Sequence, residues 1–279
     1  MPRSRPFHQV DVFSATPLLG NPLAVLHEAQ GLSDERMRQF ARWTHLSETT
    51  FLLPPDDARA DYRVRIFTPD RELPFAGHPT LGSCAAWLAA GGRPRQDDLI
   101  VQECGVGLVR IRRKDTRLAF AAPPLRRSGP LDEATLAQVA RSLKVGPEAF
   151  IASQWLVNGP RWLAVMLRTR EEVLALRPDF AAMGELEVGV VAPAAGDVAF
   201  EVRAFVPTLG VNEDPVTGSL QAGLAQWLIG EGLAPPRYVA AQGTAMGRAG
   251  RVHVERDGAD VWIGGDVALC IEGRLELGD

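Results

Sequence analysis

The sequence predicts an α+β protein made of two similar halves, and three observations predict it. Short apolar runs with strand-like alternation recur along the chain, mostly separated by turn residues rather than by helices. Helix signals are few, and each half holds one central helix that begins at the repeated motif. Most tellingly, one pair of motifs occurs twice. Arg65-Ile66-Phe67-Thr68-Pro69 returns 138 residues later as Arg203-Ala204-Phe205-Val206-Pro207, and Pro79-Thr80-Leu81-Gly82-Ser83 returns 136 residues later as Pro215-Val216-Thr217-Gly218-Ser219. Weaker echoes keep the spacing: Leu23-Ala24-Val25 with Leu163-Ala164-Val165, and Gln102 and Gly107 with Gln242 and Gly247. These read as a duplicated domain. Duplicated halves are expected to pack about a pseudo-twofold axis, and domain interfaces favour pockets, so the facing positions are the natural place for a shared site. Hairpin-linked strands point to a mixed or antiparallel sheet around a central helix in each half. A doubly wound parallel sheet would need regular strand–helix alternation, which is not seen.

In chain order, Gln9 to Phe13 alternates like a strand and Pro22 to Leu26 reads as its hairpin partner, with Gly20-Asn21-Pro22 in the turn. Ser33 starts a helix with Asp34 and Glu35 in its first turn and Met37, Phe40 and Ala41 on its apolar face. Strands are expected at 49–53 and 62–67. The helix after Pro79 runs through Cys84 and Leu88 to Gly91-Gly92, and 101–111 reads as strands with a glycine bend. The run 123–130, rich in proline and arginine, is the linker between a first half, 1–122, and a second half, 131–279, whose last strand could pack back on the first. In the second half, helices are expected at 132–143 and 170–176, and strands at 162–167, 187–192 and 198–206. A helix from Pro215 to Gly230 follows, then a hairpin of 252–254 with 261–263 that turns at Asp257-Gly258.

Composition narrows the function classes. At 279 residues, 46% apolar and 23% charged, the chain has the balance of a soluble globular protein with room for two cores. A net charge of −4 offers no footprint for nucleic acid. No run approaches the ~18 apolar residues of a membrane span, and the basic N-terminus is not followed by an apolar signal core. Three cysteines, Cys84, Cys104 and Cys270, without a CxxC pair, point away from a disulfide framework and toward a reducing, cytoplasmic setting. The five histidines show no HxH or HxxxH spacing for a metal.

The two copies differ where chemistry would sit. The residue before each repeated proline is His78 in one and Asp214 in the other. Asp214-Pro215 reads as a helix N-cap followed by the first helical position, and His78-Pro79 takes the equivalent place. Gly-Ser then falls in each opening turn, where backbone N–H groups are unpaired and suited to a small carboxylate. Taken singly, Asp214 is more readily a cap and His78 a turn residue; their matched positions reverse that preference. Glu48 stands between a helix and the apolar strand Phe51-Leu52-Leu53. Most glutamates at such places are solvated, but a desolvated one is suited to general acid/base work.

Three strings carry a further resemblance: Ser47-Glu48-Thr49-Thr50-Phe51, Phe75-Ala76-Gly77-His78-Pro79-Thr80 and Glu213-Asp214-Pro215-Val216-Thr217-Gly218-Ser219. With Asp11-Val12-Phe13, Gly20 to Val25 and Gln242 to Arg248, they resemble the PhzF-like family, named for phenazine biosynthesis, over about residues 8 to 275. The resemblance implies two halves of the diaminopimelate-epimerase-like fold, an active site between them, a homodimer, and no metal or organic cofactor. It implies a proton moved between carbons of a small cyclic or unsaturated carboxylate, as in isomerisation of a hydroxylated dihydroanthranilate. Glu48 would be the proton shuttle, with His78 and Asp214 beside it. Gly77, Gly218 and Ser219 would bind the substrate. The chain departs from the family where His45 stands in place of a more familiar asparagine. The loop Asn158-Gly159-Pro160-Arg161 is plausible as substrate-facing.

Three rival readings stay open. A two-thiol epimerase or racemase on the same fold needs paired cysteines, yet Cys84 matches Leu220 and Cys104 matches Thr244. A metal hydrolase lacks ligand spacing. A non-catalytic interaction protein that kept the fold would have had no need to keep Glu48, His78 and Asp214.

Overall fold

The computed structural model describes residues 3–207 and 211–279; Met1, Pro2 and 208–210, including the first two residues of the basic N-terminus, lie outside it. Its contacts divide the chain into unit 1, Met1–Ala121 with Gly264–Asp279, and unit 2, Ala122–Ile263. The arrangement in each is α+β, with few helices set on mixed sheets.

Unit 1 opens with β1 (Ser4–Val12) and β2 (Asn21–Leu26), paired antiparallel. Helix α1 (Asp34–Thr44) follows, with Ser33 Oγ accepting from the Arg36 N–H as its cap and Met37, Phe40 and Ala41 buried. Burying such side chains contributes roughly 1.5–3 kcal/mol each. They pack on Leu26, Phe51 and Phe67 of the sheet. The sheet continues with β3 (Thr49–Leu53), parallel to β2, and β4 (Tyr62–Phe67), antiparallel to β3. The two-residue β5 (Glu72–Leu73) pairs with the end of β4. Helix α2 (Gly77–Ala89) leads to β6 (Leu99–Cys104), parallel to β4, then to β7 (Gly107–Lys114) and β8 (Arg117–Ala121) as antiparallel neighbours.

Nine of the thirteen residues of α2 are buried, because it is apolar or small on every side. It packs against β1, β2, β3, β6 and β8, strands from both ends of the pairing order, so the sheet curls around it. Gly82 permits this close approach: a Cβ there would lie 2.6 Å from Leu23 Cδ2 and 2.9 Å from Val12 Cγ2.

Unit 2 begins with α3 (Glu133–Leu143) and the antiparallel pair β9 (Ala152–Trp155) and β10 (Trp162–Met166). The short helices α4 (Arg170–Ala175) and α5 (Phe180–Met183) precede β11 (Glu187–Pro193), parallel to β10. Then come β12 (Phe200–Phe205), antiparallel to β11, and the two-residue β13 (Glu213–Asp214) on its end. Helix α6 (Gly218–Gly230) leads to β14 (Arg237–Gln242), parallel to β12, and β15 (Gly250–Asp257), antiparallel to β14. β16 (Asp260–Gly265) follows a turn at Gly258-Ala259, one residue later than the expected Asp257-Gly258. The succession antiparallel, parallel, antiparallel, short strand, buried helix, parallel, antiparallel is therefore the same in both units. Helices α3, α4 and α5 cover one face through Val139, Leu143, Val173 and Met183, packed on Leu163, Val165, Val188 and Val190.

The expected linker residues belong to unit 2, where the Arg126 N–H bonds the Val157 carbonyl at 2.6 Å. The final strand, β17 (Val267–Glu276), pairs antiparallel with β1 in unit 1, with a register shift between Gln9 and Val10. No helix among the described residues is long and apolar enough to cross a membrane.

Candidate active site

In unit 1 the candidate residues meet where α1, β2, β3 and α2 come together. Helix α1 stops because His45 turns left-handed, at φ 53° and ψ 24°, a conformation that asparagine and histidine tolerate better than most residues. That accounts for the tolerance of histidine at this position. Thr44 Oγ1 and Thr49 Oγ1, 2.8 Å apart, tie the helix end to the start of β3. Glu48 is held between these two anchors, only 9% exposed.

Its carboxylate Oε2 lies 3.5 Å from Nε2 of His78, which is 3% exposed. The other ring nitrogen, Nδ1, lies 3.3 Å from the Nδ2 of buried Asn21. An amide nitrogen can only donate, so Nδ1 is the acceptor and the proton of the neutral ring sits on Nε2, facing Glu48. Burial pulls the His78 pKa down from the usual 6.5 to about 3, and the neutral ring is the form this geometry requires. The nearby carboxylate pulls the other way. Asn21 occupies one ring nitrogen as a donor, and complete burial opposes a charged ring, so the neutral form prevails.

In unit 2, Asp214 ends β13 and is 9% exposed. Its Oδ2 accepts a short hydrogen bond from Thr217 Oγ1. Buried Gln242 staples the turn: its Nε2 donates to the Asp214 carbonyl at 3.1 Å and to Thr217 Oγ1 at 2.9 Å, while its Oε1 accepts from the Thr217 N–H at 3.1 Å. Ser219 stands in the first turn of α6, where its Oγ accepts from Trp162 Nε1 at 3.0 Å and its carbonyl from Asn158 Nδ2 at 2.7 Å. The Ser219 hydroxyl proton is left to donate elsewhere. Asn158, from the loop expected to face substrate, is 2% exposed, whereas Arg161 of the same loop is exposed.

The repeated Arg-x-Phe motif proves to be the support beneath both clusters. Arg65 holds Glu72 of β5 in a bidentate pair at 2.7 and 2.6 Å and lies over the Phe67 ring. Arg203 holds Glu213 of β13 at 2.9 and 2.8 Å and lies over Phe205. Each arginine thus fixes the short strand that leads to His78 in unit 1 and carries Asp214 in unit 2.

Two sequence expectations are corrected. Helix α2 starts at Gly77, so His78 lies inside its first turn and Gly82-Ser83 a full turn beyond it. Ser83 Oγ is spent on Thr50 Oγ1 at 2.9 Å. Helix α6 starts only at Gly218, with Thr217 at the N-cap position, so Asp214 is not a cap and Pro215 is not helical. The bonds of Gln242 to both ends of 214–217 hold that turn out of the helix. Of the two Gly-Ser pairs only Gly218-Ser219 lies in an opening turn; in α2 that turn is opened by buried Gly77. The residues that sequence reasoning passed over are Asn21, Thr217 and Trp162, together with the structural part played by Gln242. Gln242 did show a signal, its echo of Gln102.

The thiols are poorly placed for nucleophilic work. Cys84 is fully buried and burial pushes its thiol up to about 12; burial also raises Cys104 and Cys270. Among the described residues, no three His, Cys, Asp or Glu side chains gather as a metal site would need.

The chain is similar to known proteins over nearly its whole length. The family model for phenazine biosynthesis-like proteins, PhzC-PhzF, matches residues 10–273. The chain is 37% identical to antisense-enhancing sequence 1 of Schizosaccharomyces pombe, over 96% of this chain and 97% of that protein. It is 34% identical to the trans-2,3-dihydro-3-hydroxyanthranilate isomerase of Pseudomonas aeruginosa, over 96% and 98%. The crystal structure of a PhzF-family protein from Enterococcus faecalis superposes with a TM-score of 0.82 at 27% identity, covering 99% of this chain and all of that one. A match of this extent makes the protein an enzyme of isomerase type that belongs to the phenazine biosynthesis-like (PhzC-PhzF) family.

Proposed function

We propose that this isomerase moves a proton between two carbons of a small cyclic or unsaturated carboxylate, with Glu48 as the proton shuttle and no cofactor. The observation that carries the reading is the buried pair in unit 1: a carboxylate 3.5 Å from the N–H-bearing nitrogen of a neutral imidazole. The Glu48 carboxylate takes a proton from one carbon, and the C–H electron pair moves into the adjoining unsaturated system. The resulting carboxylic acid returns the proton to a different carbon, so the site ends as it began and nothing is oxidised or reduced. A neutral His78 cannot compete for that proton as a strong base would. Its Nε2–H instead donates a hydrogen bond to Glu48 or to the substrate as charge develops. Asp214 and Ser219 of unit 2, with the backbone N–H groups at the start of α6, are groups suited to hold polar substituents of a small carboxylate. The family relationship supports this choice of chemistry, and trans-2,3-dihydro-3-hydroxyanthranilate is the first substrate to try.

The test is deuterium wash-in. Purified protein and its Glu48→Gln variant are incubated in D₂O with that compound and a panel of cyclic amino and hydroxy acids, and exchange is followed by proton NMR. The expected result is exchange or isomerisation that falls about 10²–10⁴-fold in the variant, the usual contribution of a positioned acid/base group. Exchange that continues undiminished without the Glu48 carboxyl would contradict the assignment.

A further inference from the structure

We infer that Gln242, acting through the Thr217 hydroxyl, is a positioning residue that holds Asp214 in its ionised, hydrogen-bond-accepting form. This rests on the function proposed above. It follows from the direction of five hydrogen bonds, all among residues that are nine-tenths or more buried.

The direction starts from two backbone groups whose roles cannot be exchanged. The Thr217 N–H can only donate, and it meets Gln242 Oε1 at 3.1 Å. The Asp214 carbonyl can only accept, and it meets Gln242 Nε2 at 3.1 Å. Together they admit one orientation of the amide. Gln221 Nε2, donating to the same Oε1 at 3.0 Å, reinforces it. The second Nε2 hydrogen then points to Thr217 Oγ1 at 2.9 Å, so that oxygen is an acceptor toward Gln242. Its single proton is directed to Asp214 Oδ2 in the short bond. An ionised carboxylate accepts this bond at full strength, and hydrogen bonds to the charged form favour that form.

The matching residue in unit 1 shows that the relay has been put to a different use. Gln102 accepts from Tyr62 Oη at 2.9 Å and donates to Thr80 Oγ1 at 3.1 Å. Thr80 Oγ1 then donates to the Ala76 carbonyl at 2.9 Å, at the start of α2. That relay ends on a backbone acceptor, which has no protonation state to set. In unit 2 the matching glutamine pairs with a threonine one position later in the repeated motif, Thr217 where Thr80 would match Val216, and that relay ends on a carboxylate.

The experiment combines a titration that needs no turnover with the exchange assay. In protein labelled with ¹³C at aspartate carboxyl carbons, the Asp214 resonance is identified by its loss in Asp214→Asn and followed against pH. Thr217→Val is expected to raise the proton affinity of Asp214 about tenfold or more, the worth of a hydrogen bond to a charged group. Thr217→Ser is expected to leave it within about twofold. Gln242→Glu is isosteric but turns the threonine proton toward its own new oxygen, so it is expected to act as Thr217→Val does. Gln102→Glu, which buries a carboxylate at the matching place, is expected to leave the Asp214 titration alone. The Arg203–Glu213 pair is untouched in every variant, so it does not account for a change. In the exchange assay, kcat is expected to fall about tenfold in Thr217→Val with KM within about twofold, and to return in Thr217→Ser; the valine and glutamate changes combined should cost no more than either alone. An Asp214 titration unmoved by Thr217→Val overturns the inference, as does one that Thr217→Val moves and Gln242→Glu leaves unmoved. A shifted titration with a silent exchange assay upholds it and counts against the proposed reaction alone.

Discussion

Units 1 and 2 run through the same succession of strand pairings and carry the same Arg-x-Phe support, yet their central helices start at different places relative to the repeated motif. In unit 1 the helix begins before the variable residue, and His78 is carried inside its first turn. In unit 2 it begins four residues after the variable residue, and Asp214 sits on a two-residue strand in a turn held by Gln242. The difference teaches that a shared scaffold can present two kinds of group. A residue locked in a buried helix can be kept neutral by desolvation. A residue on a stapled turn can be given fixed hydrogen-bond donors. Unit 1 thereby presents a neutral N–H, and unit 2 an acceptor.

The largest stability effect that would sharpen this comparison concerns the two arginines. Both support the same kind of short strand, but the Arg203 side chain is 6% exposed and that of Arg65 23%. Removing one partner of a buried pair leaves an uncompensated charge and costs about 3–5 kcal/mol. A partly exposed pair is worth about 1 kcal/mol or less. Chemical denaturation should therefore rank Arg203→Ala well below Arg65→Ala in stability. Equal losses would mean that the two supports are not distinguished by burial.

The next effect is acid lability concentrated in unit 1. It holds four of the five histidines, and three of them, His8, His27 and His78, are buried. His8 Nδ1 and His27 Nε2 lie 2.9 Å apart. Burial, and then the neighbouring His8, lower His27 from 6.5 to about 4. A histidine whose folded pKa is depressed is protonated first in the unfolded chain. Its contribution is whole above pH 6.5 and is lost as pH falls toward 4, by about 3 kcal/mol for this displacement. His78 extends the same limb toward pH 3. A His27→Gln variant, though less stable at pH 8 for want of its ring contact, should lose less further stability between pH 6.5 and 4 than the parent does. Parallel curves would contradict the assignment.

The smallest effect is at His45. Because the position needs a left-handed backbone, His45→Asn should change stability by no more than about 0.5 kcal/mol, while a β-branched valine should cost about 1 kcal/mol or more. A thermal melt that moved for asparagine as much as for valine would show that the side chain, not the backbone, matters there.

How much of this could be read from the chain depends on how local its cause is. Strands β3 and β4 and helix α1 match their expected spans closely, because alternation, an apolar face and a serine cap are local signals. The starts of α2 and α6 were misread for the opposite reason. Both helices are buried on nearly every side, so no amphipathic period marks their ends. Asp214-Pro215 imitates a cap, and the residue that overrides it, Gln242, comes 28 positions later. A last strand returning to the first half is expected from the sequence, but the bounds of β17 are not legible, since its partner β1 lies at the other end of the chain and its exposed Leu269, Ile271 and Glu272 show no clean alternation. Within the candidate site, Glu48 and His78 were named from the sequence and are found in contact. Asn21 was read only as a turn residue, because its contact with His78 crosses 57 positions.

The most direct measurement of the central claim is the protonation state of His78, read by long-range ¹H–¹⁵N correlation on protein labelled at histidine ring nitrogens and assigned by loss of the signal in His78→Gln. The account predicts a neutral ring at pH 7 with the proton on Nε2 and a bare Nδ1, unchanged down to pH 4. An imidazolium at neutral pH, or a proton on Nδ1, would contradict it, because His78 would then offer Glu48 a different partner from the neutral donor on which the proposed proton transfer depends.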